Sequence, residues 1–73
     1  MTKLITAHGR GVIAGSVEAP HFMQDHLRDD EIRFLAARVH EAMQEAGFAH
    51  IEPESEFVDG FVEGFKTRLV PHL

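Results

Sequence analysis

Two short runs, Lys3-Leu4-Ile5-Thr6-Ala7 and Val12-Ile13-Ala14-Gly15-Ser16-Val17, flank the glycine-rich break His8-Gly9-Arg10-Gly11. β-Branched residues recur in both runs, and such side chains lose χ1 freedom in a helix and suit a pleated strand. A short glycine-containing break between two such runs reads as a turn. The stretch therefore predicts a β-hairpin or flexible arm over residues 1–19, with Arg10 exposed at the tip and free to meet a partner. Two strands alone are marginal in water, so this arm must pack on something else. As a peripheral arm, its first eleven residues are expected to be dispensable for the rest of the fold.

Working outward, Pro20 pushes Ala19 towards extended geometry. From His21 to Leu27, Phe22, Met23 and Leu27 fall on helical spacing, as in a single turn of helix or a loop. Asp29-Asp30-Glu31 opens a clearer element, with acidic residues where they favour the helix dipole. Ile32, Leu35, Ala36, Val39, Met43 and Ala46 then make one apolar face, and Gly47 follows as a C-terminal cap. This predicts a helix over residues 30–46, with Phe34 off the main stripe and facing a partner.

Phe48-Ala49-His50-Ile51 is a connector or short strand, and Pro53 leads into a second helix over residues 54–69. Phe57, Val58, Phe61, Val62, Phe65 and Leu69 share one face of it; Glu56, Asp59, Glu63 and Lys66 lie opposite. Lys66 and Arg68 stand near its end, where cations are favoured. Gly60 and Gly64 lie inside it, each costing about 1 kcal/mol relative to Ala. Either they let another backbone approach closely, or they simply weaken the helix. The expected architecture is thus a single α+β domain, 1–73, in which a hairpin-like arm packs on two amphipathic helices.

A chain of 73 residues supplies one small core worth about 3–5 kcal/mol. It has no cysteine, which removes disulfides and thiolate metal sites and fits a reducing compartment. With no signal-like N-terminus and no apolar stretch near membrane-spanning length, a cytoplasmic protein is expected. Seven basic against twelve acidic residues give a net charge of −5. That balance disfavours direct nucleic-acid binding and suits a basic protein partner.

Catalytic signatures are missing. Gly9 to Gly15 resembles a phosphate loop only superficially, because no Lys-Ser/Thr pair or helix-opening βαβ context follows. Ser16 and Ser55 lie in no nucleophile-elbow pattern. His21 and His26 are five apart and do not share a helix face as paired ligands would. The reading is therefore a non-enzymatic binding protein with no cofactor and no metal. Its candidate partner-binding residues are Arg10, Phe34 and the acidic run Glu52, Glu54, Glu56, Asp59 and Glu63, with Phe22 a second candidate exposed aromatic.

From Met1-Thr2-Lys3 to Val70-Pro71-His72-Leu73, the small size, acidic balance and lack of cysteine resemble the small RNA polymerase-binding transcription regulators encoded by Xanthomonas phages. The resemblance covers the whole chain and rests on no short motif. It implies a non-enzymatic inhibitor that binds the large subunits of bacterial RNA polymerase, hinders σ-dependent initiation and permits terminator readthrough; the chain is expected to be a monomer. An acidic inhibitor or antitoxin of a nuclease or defence protein is one alternative. A small His-rich metal-binding protein is the other.

Six histidines add a pH dependence: protonating all of them moves the net charge from −5 to +1. Association driven by charge should therefore weaken in mild acid. Titrating the complex at neutral and mildly acidic pH checks this, and an unchanged affinity would exclude a charge-driven mode.

Overall fold

The computed structural model describes residues 6–22 and 27–69, and among them there is no strand. Three helices carry the fold: α1 (Ala7–Glu18), α2 (Asp29–Glu45) and α3 (Glu54–Leu69), with a 3-10 turn, Ala19–Phe22, after α1. The α+β expectation is thereby corrected to an all-helical, three-helix domain. Residues 3–5 of the first run lie outside the described residues. The second run, Val12 to Val17, lies in the C-terminal half of α1 and is not a strand.

A helix containing Gly9, Gly11 and Gly15 among β-branched residues has poor intrinsic propensity. Local help comes from Thr6, whose Oγ1 accepts a hydrogen bond from the Gly9 N–H at 3.1 Å and caps the helix. The deciding help is tertiary. Gly11 and Gly15 lie directly against the α3 backbone at Phe57, Phe61 and Phe65, while Gly60 and Gly64 lie against the α1 backbone at His8 and Val12. A Cβ at any of the four would fall within 3.0 Å of a backbone carbonyl oxygen of the facing helix. Partner positions rise together along both helices, so α1 and α3 run parallel. Of the two readings of Gly60 and Gly64, close backbone approach is the one realised.

Helix α2 follows its sequence pattern closely. The Arg28 N–H donates to Glu31 Oε1 at 2.8 Å, one half of a capping box. At the other end Gly47 adopts φ +86°. Its N–H donates to Gln44 O at 3.1 Å, and the Phe48 N–H reaches back to Met43 O at 3.0 Å. This pair of bonds is a Schellman cap. Lys66–Asp29 at 2.7 Å and Arg33–Asp59 at 3.0 Å tie α2 antiparallel to α3. Both pairs are exposed, and each contributes at most about 1 kcal/mol.

The core lies along α3. Phe57, Phe61 and Phe65 are fully buried, together with Ile32 and Ala36 of α2 and Ile51 of the connector. Phe22 packs against Phe65 with ring centroids 6.0 Å apart and is half-buried, which withdraws it as an exposed partner-facing aromatic. No strand forms at Phe48–Ile51. The connector is instead held by His40, a buried residue of α2. Its Nε2 meets Ile51 O at 2.9 Å and its ring meets Phe57 edge-on at 5.1 Å. Since the Ile51 carbonyl can only accept, His40 Nε2 carries the proton there.

The glycine seam also overturns the view of the N-terminal residues as dispensable, because Gly11 lies inside it. Replacing Gly11, Gly15, Gly60 or Gly64 by Ala raises helix propensity by about 1 kcal/mol yet is expected to lower stability. Backbone on the far side cannot yield, so the loss should exceed about 2 kcal/mol, a large part of the total for a chain this size. Urea unfolding of the four single variants reads this directly; stabilised variants would mean that the helices stand apart in solution.

Candidate functional site

Helices α1 and α2 each pack on α3 but scarcely touch one another. Between them lies an open groove of about 360 Å³. Ile13, Ala14 and Val17 line it from α1, and Val39 and Met43 from α2. Phe48, the residue after the Schellman glycine, completes the apolar lining. Arg10 and Glu18 supply the polar lining, both from α1. Eight residues apart, they are separated by about 12 Å along the helix.

Exposure singles this region out. Ile13 is 51 %, Val17 59 % and Phe48 53 % exposed. Isolated apolar residues on a surface need no explanation, but three lining one groove form a patch of the kind that docking sites use. Among the described residues Phe34 is the fourth large apolar side chain left in water, at 66 %. It lies outside the groove lining, on α2, with the Arg38 guanidinium 5.9 Å above its ring. That cation–π contact, between two exposed side chains, contributes at most about 1 kcal/mol.

The residues expected to bind a partner are dispersed. Arg10 is not at the tip of a turn; it lies within α1, half-buried, with Nε buried and without a hydrogen-bond partner. Phe34 is exposed, as its position off the apolar stripe implied. The acidic run does not form one free face. Glu52 Oε1 accepts from Gln44 Nε2 at 2.9 Å, Asp59 pairs with Arg33, and Glu63 Oε2 lies 3.0 Å from His8 Nε2. Glu54 and Glu56 are exposed in the first turn of α3.

Sequence reasoning missed Ile13 and Val17, assigned to a strand, and Phe48, assigned to a connector. Val39 and Met43 were legible as apolar stripe residues, but not as the lip of a groove. Among the described residues no three His, Asp or Glu side chains gather as a metal site would require. None of the described helices is long and apolar enough to cross a membrane. No family model, curated protein or solved structure matches the chain.

Since Ile13 and Val17 contribute little to the core, Ile13→Ser and Val17→Ser should change stability in dilute solution by no more than about 0.5 kcal/mol. Thermal unfolding measures this. A loss of about 2 kcal/mol, typical of truncation in a packed core, would show the groove to be closed in the isolated chain.

Proposed function

We propose that this chain is a non-enzymatic, protein-binding regulator that presents the outer side of α2 to a larger assembly. Bacterial RNA polymerase is the leading candidate, and inhibition of transcription initiation in a host cytoplasm the expected outcome. The observation that carries the binding role is Phe34, among the described residues the most exposed large apolar side chain, with the Arg38 guanidinium over its ring. Aromatic and Arg side chains dominate binding hot spots because they bury large area with few rotamers lost. A net charge of −5 favours encounter with a basic protein surface. The polymerase itself rests on the whole-chain resemblance.

Acidic mimicry of nucleic acid finds less support. It needs a row of free carboxylates, and Glu52, Asp59 and Glu63 are engaged within the domain. The metal-binding alternative finds no gathered ligand set among the described residues.

Immobilised protein should retain polymerase subunits from bacterial lysate, less so at high salt, and Phe34→Ala should reduce retention at least about tenfold. Phe34→Ala should fold as the parent does, since the side chain is mostly in water. Retention unaffected by Phe34→Ala would move the contact elsewhere, and recovery of no polymerase would remove it as the partner.

A further inference from the structure

The α1–α2 groove has a charge pattern that suits one occupant in particular. Arg10 and Glu18 bracket the apolar residues Ile13, Ala14 and Val17 on the same helix. Among the described residues neither charge takes part in an ion pair. A ligand for this groove must therefore be apolar in the middle, acidic where it meets Arg10 and basic where it meets Glu18.

A second α1 laid antiparallel on the first meets that description. Crossing near Ala14, the smallest of the apolar residues, it brings Ile13 and Val17 of the two copies together. It also sets each Arg10 beside the other copy's Glu18, so one contact is made twice about a two-fold axis. A two-fold interface requires such self-complementarity. We propose that the groove is a homodimer interface, closed by α1 of a second copy through reciprocal Arg10–Glu18 pairs.

This departs from the monomer expected from sequence and is independent of the partner role assigned to Phe34, which lies outside the groove. In the dimer, Ile13, Val17 and Phe48 leave water, and each guanidinium gains a carboxylate. The pairs fix register and orientation; the apolar contact supplies most of the affinity.

Charge reversal tests the geometry. Wild-type protein should show a dimer fraction that rises with concentration in sedimentation velocity. Arg10→Glu places acid against acid twice, and Glu18→Arg places base against base twice. Each should weaken dimerisation at least about tenfold while helical circular dichroism stays unchanged. An equimolar mixture of the two variants restores both opposite-charge pairs and should recover dimers of wild-type affinity. Val17→Glu, at an exposed position that leaves the core untouched, should abolish dimerisation without involving Arg10. Phe34→Ala should leave dimerisation intact, which separates this interface from the partner surface. A wild-type chain that stays monomeric into the high micromolar range would overturn the proposal, as would a mixture that fails to recover.

Discussion

Direct backbone contact between α1 and α3 is the constraint from which the rest of the fold follows. Where Gly11, Gly15, Gly60 and Gly64 meet the facing helix, no side chain separates the two backbones. Dispersion between close-packed main chains, with Cα–H groups directed at carbonyl oxygens, replaces the usual interdigitation of side chains. Because this side of α3 is taken up by α1, the Phe57–Phe61–Phe65 row is free to form the core with α2, the connector and Phe22. One helix thus serves two interfaces of opposite kind, one built on backbone contact at glycines and one made of large rings.

That arrangement explains the groove. Helix α1 is drawn so closely to α3 that it leaves a gap on its α2 side. Val39 and Met43 line the gap from α2 without filling it, so Ile13 and Val17 remain more than half exposed. The Schellman cap at Gly47 matters here as well, since it turns the chain so that Phe48 comes to the groove instead of continuing along α2. A cap that ends a helix has in this way placed an aromatic side chain at a surface site.

Much of this was legible in the sequence, and the remainder was not for physical reasons. Helices α2 and α3 carry apolar residues at helical period and acidic first turns, and a glycine, Gly47, follows α2, all local signals that their contacts reinforce. Phe34 could be read as exposed because it lies off the stripe. Helix α1 could not be read this way: its β-branched residues and three glycines favour a turn and strands, and only a surface some fifty residues away reverses the preference. The one available signal was that Gly11 and Gly15 repeat the four-residue spacing of Gly60 and Gly64. Charges were legible as charges, but their pairing was not, so an acidic run read as a free face proved to be largely engaged with α1 and α2. Arg10 was misplaced for the same reason as α1, since the fate of a side chain follows that of its backbone.

The glycine seam also bears on the order in which the molecule comes into being. It joins the first of the three helices to the last, so its two halves emerge from a ribosome far apart in time. An isolated twelve-residue helix is marginal in water even with good formers, and α1 has few of them. Helix α1 therefore waits, unfolded, until α3 has been synthesised, and then docks in a step with high sequence separation. Until that docking the apolar residues of α1 have no α3 to cover them.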